Sequence, residues 1–302
     1  MKAPALLYRA GALGDILLLR RAVAALHREG RRVTLVAPAR AGASLVGPGP
    51  SEVDDLVDAD AADVAALFSS AGAPSGRLAN RLRGVDLAVV YSRSPDLARG
   101  LGALVPRVVA HDPAPPPGRH ASRWLARPLE DLGLDLAAEP EPMRPTEAEA
   151  TAAARLVAPL PERFVAVHPG SGSPRKNWPA DRFAALLDAL VPGAPWLLVE
   201  GPADGEPAAR LARRPGATVA RGLPVRTLGA VLARAGLVVG HDSGVSHLAA
   251  AWGAPTLALF GPTDPGVWSP VGPRVAVARA PEGRLEALTV EEVVATSASL
   301  RR

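Results

Sequence analysis

The chain has 302 residues, 48% of them hydrophobic, enough for one large or two medium domains with real cores. It contains no cysteine, which excludes disulfide frameworks, thiolate-bound metals and cysteine nucleophiles. Thirty-four basic against 30 acidic side chains leave a net charge of only +4, weak support for a nucleic-acid partner; residues 1–150 carry 18 of each sign and the rest 16 basic against 12 acidic, so any positive field lies in the C-terminal half and suits a small anionic ligand.

The chain opens with an apolar run that ends at Arg9 and Gly11, too short for the core of a secretory signal, and no later stretch reaches the ~18 uninterrupted apolar residues of a membrane-spanning helix. A cytoplasmic location is expected. The first strand is read at Ala5–Arg9, followed by Gly11-Ala12-Leu13-Gly14-Asp15 and a helix over residues 16–28. Glycines at the carboxyl end of a parallel strand let a substrate approach the backbone closely. The glycine spacing does not make a dinucleotide fingerprint, since the third glycine of G-x-G-x-x-G is missing. Asp15 reads either as a helix cap or as a base able to take a proton from an incoming hydroxyl.

Further strands are read at residues 33–37, 87–91 and 108–110. Asp58-Ala59-Asp60 sits in an acidic run with Asp54, Asp55 and Asp63 and is read as a solvated loop or helix start, with no metal assigned. Residues 113–118 are proline-rich and expected to form an exposed loop. Three prolines within residues 139–145 favour an extended connection, so the domain boundary is placed there, with domains at 1–145 and 146–302. Thr146, followed three residues later by Glu149, is a plausible cap for the next helix.

The second series begins with a strand at 164–168 and the segment His168-Pro169-Gly170-Ser171-Gly172-Ser173-Pro174-Arg175-Lys176-Asn177-Trp178-Pro179, before a helix at 181–190. Arg175 and Lys176 could neutralise a phosphate or diphosphate, or simply be surface cations on a turn. Only Lys2 and Lys176 are lysine; there is no glutamine, two asparagines and 32 prolines, a composition that suggests a heat-adapted source and makes an interior lysine conspicuous. A strand at 196–200 ends in Glu200, which could hold the hydroxyls of a ribose or lie in a solvated loop. Strands at 218–220 and 237–240 follow, the latter running into Gly240-His241-Asp242-Ser243-Gly244-Val245-Ser246-His247 at the start of an alanine-rich helix. The first amides of that helix offer an anion site; Asp242 reads as a cap or as an acceptor for sugar hydroxyls, and His247 as a packed histidine. A strand at 256–260 leads into Gly261-Pro262-Thr263-Asp264-Pro265, another loop on the ligand side. Strands alternating with helical segments make this an α/β protein with two parallel sheets.

These segments, in this order, resemble the heptosyltransferases of glycosyltransferase family 9. The resemblance implies the GT-B architecture, two Rossmann-like parallel-sheet domains facing a central cleft, with the acceptor held by the first and the nucleotide sugar by the second. It implies inverting, metal-independent transfer of a heptose-like sugar from an ADP-linked donor to a glycan or lipopolysaccharide-type acceptor, with no cofactor. Carried over by motif, Asp15 is the general base, with Gly11 and Gly14 in its loop. Ser171, Arg175, Lys176, Glu200, Asp242, Ser243, Gly244 and His247 form the donor-binding set, with Lys176 on phosphate and Glu200 on ribose. An enzyme of this kind works in the cytoplasm, with peripheral contact at the inner membrane face as an option. The helix after Asp15 carries Arg21 where family members usually have proline, and residues 70–120 show no acceptor-specific signature. A nucleotide-sugar epimerase and a catalytically silent nucleotide-sugar-binding protein are the alternatives on the same fold.

Overall fold

Parallel strands have no hairpin to join them, so each returns through a helix, and both faces of the sheet end up covered. That rule accounts for the Val-, Leu- and Ala-rich runs of this sequence. A computed structural model describes residues 2–68, 76–201 and 204–301. The chain divides into two units, Met1–Glu141 and Pro142–Arg302.

The first unit runs β1 (Ala5–Arg9), α1 (Leu13–Leu17), α2 (Arg20–Arg28), β2 (Val33–Ala37), α3 (Ala39–Gly42), β3 (Asp55–Asp58), α4 (Ala62–Ala65), α5 (Arg77–Arg81), β4 (Leu87–Tyr91), α6 (Pro95–Gly102), β5 (Arg107–His111) and α7 (Ala121–Glu130). Its sheet is wholly parallel in the order β3-β2-β1-β4-β5. Every residue of β1, β2 and β4 is buried, whereas β5 at the edge is partly exposed. Leu6, Val36, Leu78, Val90 and Leu97 lie in one apolar cluster on one side of this sheet.

The second unit runs α8 (Glu147–Val157), β6 (Val165–His168), α9 (Ala180–Leu190), β7 (Trp196–Glu200), α10 (Gly205–Ala212), β8 (Ala217–Arg221), α11 (Val225–Leu232), β9 (Leu237–His241), α12 (Gly244–Ala251), β10 (Thr256–Phe260), α13 (Pro265–Trp268), β11 (Val275–Arg279) and α14 (Val290–Ser297). The parallel order is β11-β10-β9-β6-β7-β8. Trp178, Phe183, Leu198, Val239 and Leu259 share one buried cluster, with Trp178 only 1% exposed. At the head of α8 the Thr146 hydroxyl accepts from the Glu149 N–H (3.3 Å) and the Glu149 carboxylate accepts from the Thr146 N–H (2.8 Å), the reciprocal cap read from the sequence.

Three local readings need correction. The single helix expected over 16–28 tightens at Leu18 and Leu19, where the Leu19 N–H bonds to the Ile16 carbonyl three residues back (3.0 Å), and so becomes α1 and α2. The acidic stretch read as a solvated loop or helix start leads into α4 but first holds β3, an edge strand whose carboxylates are engaged: Asp55 accepts from Arg81 (2.5 Å) and Asp58 from the Ala39 N–H (3.1 Å). The edge strand β11 was not anticipated, because its short VAVAR run carries little alternation. The stretch 113–118 is mostly exposed, as read, and residues 70–75 of the region without an acceptor signature lie outside the described residues.

Arg21, the departure from the family pattern, is buried. It donates to the Leu136 carbonyl (2.7 Å) and pairs with the Glu139 carboxylate. Its neighbour Arg20, also buried, donates to the Ser51 hydroxyl (3.2 Å) and to the Glu141 carbonyl. Burial lowers the pKa of Arg20 to about 10, against the opposing pull of Glu52. Two consecutive guanidinium groups therefore fasten the last stretch of the first unit onto α2. Among the described residues no helix is long and apolar enough to cross a membrane.

Gly229 on α11 packs so closely on α12 that an added Cβ would stand 2.3 Å from the Trp252 indole. Gly229→Ala gains about 1 kcal/mol of helix propensity but overpacks a buried contact at a cost of about 1–3 kcal/mol. The variant should unfold at lower denaturant concentration than the parent in an equilibrium melt.

Candidate functional site

In a doubly wound sheet, the two strands whose crossovers leave on opposite faces open a crevice at their carboxyl ends, and ligands collect there. The strand orders put that point between β1 and β4 in the first unit and between β6 and β9 in the second. Polar residues of the expected set gather at both.

In the first unit β1 ends in Arg9 and β4 in Tyr91, adjacent in register. Arg9 is 5% exposed; its guanidinium donates to Asp15 Oδ1 (2.7 Å) and to the Pro113 carbonyl (3.3 Å). Asp15 Oδ2 accepts from the Ala12 N–H (3.0 Å), so the carboxylate is fixed at the first turn of α1 while still partly exposed. It therefore holds a backbone amide, as the helix-cap reading requires, and also faces a buried cation. Gly11 lies so close that a Cβ there would meet the Asp15 Cβ at 2.7 Å, and Gly14 is the second residue of α1. Burial raises the Tyr91 phenol well above its usual range despite nearby Arg9, and its hydroxyl donates to the Leu125 carbonyl (2.5 Å).

In the second unit β6 ends in His168 and β9 in His241. His241 is wholly buried. Its Nε2 accepts from the Trp178 N–H (2.7 Å), so Nδ1 carries the proton and donates to the Gly170 carbonyl (3.0 Å). One neutral ring thus ties both ends of the loop that carries Ser171, Arg175 and Lys176. Burial pushes its pKa down to about 4, although Gly170 pulls the other way.

Lys176 Nζ and the Thr263 hydroxyl both donate to Asp242 Oδ2, each at 2.7 Å, joining the loops after β6, β9 and β10. The pair is partly buried, with side-chain exposures of 30% and 11%. Arg175 is exposed. The Ser171 hydroxyl accepts from the Ser173 N–H (3.2 Å) and lies 2.7 Å from both the Ser173 carbonyl and Asn177 Oδ1, where its one proton can serve either. Glu200, at the end of β7, accepts from Arg221 across the register (2.7 Å). Gly244 begins α12, preceded by Ser243, and His247 is buried within it. Pro202, next to Glu200 and Gly201, lies outside the described residues.

The sequence reading passed over Asp204. It precedes α10 as a cap would, yet its carboxylate points elsewhere, accepting from the Gly201 N–H (2.6 Å) and from His168 Nε2 (3.0 Å). Both partners are almost fully buried, with side-chain exposures of 5% and 4%. Burial alone would raise the Asp204 carboxyl, but His168 and the Gly201 N–H hold it below its ordinary value. The glycine at 170 is required by space, since a Cβ there would stand 1.8 Å from Asp204 Oδ1. The Asp-Gly pair before a helix is the only sequence signal for Asp204, and it suggests a cap. Among the described residues no three His, Asp or Glu side chains come together to hold a metal ion.

Comparison with known proteins settles the family. The model of glycosyltransferase family 9 (heptosyltransferase) matches residues 98–295. The chain belongs to glycosyltransferase family 9. Among curated family 9 relatives, lipopolysaccharide heptosyltransferase 1 of Escherichia coli O18:K1:H7 (strain RS218 / NMEC) is 36% identical over 126 residues, which cover 39% of this chain and 37% of that protein. Lipooligosaccharide heptosyltransferase 2 of Haemophilus influenzae (strain ATCC 51907 / DSM 11121 / KW20 / Rd) is 31% identical over 120 residues, 37% of this chain and 35% of that protein. These matches thus span little more than a third of each curated relative. The likeness in fold extends further. The family 9 glycosyl transferase from Veillonella parvula DSM 2008 superposes with a TM-score of 0.81 at 20% identity, covering 99% of this chain and 97% of that one. Escherichia coli ADP-heptose lps heptosyltransferase II does so at 0.76 and 19% identity, covering 100% and 98%. The α/β class and the two Rossmann-like parallel-sheet domains of the GT-B type, expected from the sequence, are thereby shown.

His241 is neutral in the fold, whereas an exposed histidine gains a proton below about pH 6.5. The unfolded chain therefore takes up a proton that the folded one refuses, and stability is whole above pH 6.5 and falls as pH drops toward about 4. The loss should approach about 3 kcal/mol. Urea melts of the parent at pH 7.5 and pH 5 should differ by about 2 kcal/mol of that total, and His241→Gln should flatten the difference.

Proposed function

We propose that this protein is an inverting, metal-independent glycosyltransferase that moves a heptose-like sugar from an ADP-linked donor to a lipopolysaccharide-core type acceptor. The observation that carries this reading is the meeting of Lys176, Asp242 and Thr263 beside the N-terminus of α12, at the switch point of the second sheet. An ammonium has three N–H donors, and Asp242 takes one from Lys176, so two remain for a diphosphate. The amides at the head of α12 add partial positive charge. Departure of the diphosphate can then be stabilised by lysine and helix, and Arg175 supplies a further exposed cation. The Lys176 and Thr263 bonds to Asp242 both fall on Oδ2, which leaves Oδ1 for a sugar hydroxyl. Ser171, Ser243, Gly244 and His247 would complete the donor site, and Glu200 Oε1 would reach the ribose.

In the first unit Asp15 would act as general base, with Gly11 and Gly14 shaping its loop. The neighbouring Arg9 guanidinium holds Asp15 Oδ1 at 2.7 Å and so orients the carboxylate toward the hydroxyl whose proton it would accept, and direct attack by the freed hydroxyl inverts the anomeric centre. The relatives' names support this reading: they are heptosyltransferases acting on lipopolysaccharide or lipooligosaccharide, and one solved neighbour is Escherichia coli heptosyltransferase WaaC with ADP, with a TM-score of 0.71 at 20% identity, covering 98% of this chain and 99% of that one. Such an enzyme would work in the cytoplasm, in peripheral contact with the inner membrane face, where its acceptor is assembled.

Asp15→Ala should reduce transfer from ADP-heptose by about a thousandfold or more, as expected for loss of a general base, while ADP affinity measured by calorimetry stays within about twofold. Parental turnover in that variant would remove Asp15 from the mechanism. Lys176→Ala should weaken ADP binding about tenfold or more, because it deletes one cation and leaves Asp242 uncompensated beside the phosphates. Transfer should be unaffected by excess EDTA; a loss restored by a divalent cation would overturn the metal-independent reading.

A further inference from the structure

A serine at the N-cap of a helix ordinarily turns its oxygen inward to accept from the second or third amide of the helix. Thr146 accepts in this way from the Glu149 N–H, Thr289 from the Glu292 N–H and Asp264 from the Gly266 N–H, whereas Ser94 at α6 and Asp204 at α10 make no bond of this kind. Nor does Ser243. It has extended N-cap geometry at α12 and makes no side-chain bond to the helix, and its hydroxyl lies 3.3 Å from His168 Nδ1. His168 in turn presents Nε2 to Asp204 (3.0 Å), with both side chains about 95% buried. The chain of contacts is therefore Asp204, His168, Ser243, α12.

We propose that Asp204 and His168 are positioning residues that divert the Ser243 hydroxyl from the head of α12, keeping the helix amides available to an anion, and that anion binding draws a proton onto His168. This rests on the donor-site reading above. The proton accounting follows from the hydrogen bonds. With His168 Nε2–H donating to Asp204, Nδ1 of the neutral ring is an acceptor and takes the Ser243 O–H. Ser243 then shows only lone pairs outward, which oppose a phosphate oxygen. When a proton enters at Nδ1, that N–H donates to Ser243 Oγ, and the serine's own proton turns outward to the anion. No covalent bond to the ligand forms, and one proton is taken from solvent. The ionised Asp204 beside Nε2 supports the imidazolium. The other charged and titratable groups on the elements around this chain include His241, neutral and bonded to Gly170 and Trp178, His247, buried one turn into α12, and the Asp242–Lys176 pair, whose charges offset one another.

The test is calorimetric titration of the full chain with ADP at pH 7, in two buffers of different ionisation enthalpy, which counts the protons exchanged on binding. Parent, His168→Gln and Ser243→Ala are compared; the last keeps the Asp204–His168 pair, so the answer survives if the first folds poorly. The terminal phosphate of ADP titrates alike in all three, so the difference between proteins carries the result. The parent should take up roughly half a proton or more beyond either variant. Its ADP affinity should exceed theirs by about tenfold at pH 6 and converge with theirs by pH 9. Equal proton uptake in all three proteins, or an affinity gap that does not change with pH, would overturn the proposal while leaving the donor site standing. Failure of ADP to bind the parent would instead remove the donor-site reading, and the proposal with it.

Discussion

The polar clusters at the central strand ends of both units are organised by a single topological constraint: each sheet reverses its winding once. Where it does, the crossovers leave in opposite directions and the strand ends are left uncovered by any helix of their own. Buried main-chain and side-chain polar groups at such a point must still find partners, and each unit supplies them from the residues that terminate its strands. In the first unit these are Arg9, Asp15 and Tyr91, and in the second His168, His241 and Asp242. The same network that lets the sheet close leaves functional groups at its rim.

The two rims solve their electrostatics differently. Arg9 is a permanent cation, and its carboxylate partner is partly exposed, so the pair leaves one charged oxygen within reach of solvent. The second unit buries neutral imidazole in His241, pairs Lys176 with Asp242 and Arg221 with Glu200 at its rim, and sets the His168 ring against the Asp204 carboxylate. A neutral ring can staple two backbone groups in a dry interior without the desolvation penalty of an ion. That is why a histidine rather than a lysine or arginine can stand beneath the loop that carries Ser171, Arg175 and Lys176.

Much of this was legible in the sequence. Strands such as Ala5–Arg9, Leu87–Tyr91 and Trp196–Glu200 are short, mostly apolar runs, two of them closed by a charged residue, Arg9 or Glu200, and burial on both faces imposes that pattern. The motif glycines and the rare lysine pointed to the loops that gather at the second switch point. Edge strands were harder, because Asp55–Asp58 and Val275–Arg279 face solvent on one side and their carboxylates or arginines resemble loop residues. Asp204 and His241 were not legible as parts of the site at all. An aspartate before Gly-Glu looks like a cap, and a histidine at a strand end carries no local mark of the two backbone groups, seven or more residues apart from each other, that it will join.

Arg20 and Arg21 occupy the stretch of α2 where a proline is customary, and their guanidinium groups are buried against the carbonyls of Leu136 and Glu141 and the carboxylate of Glu139. Their Nε atoms are already without partners. Cutting the chain ahead of residue 136 would strip Arg21 of both its acceptors and leave Arg20 only the Ser51 hydroxyl. The N-terminal unit is thus sealed by its own final segment, and expressing it in isolation requires carrying the polypeptide through Glu141.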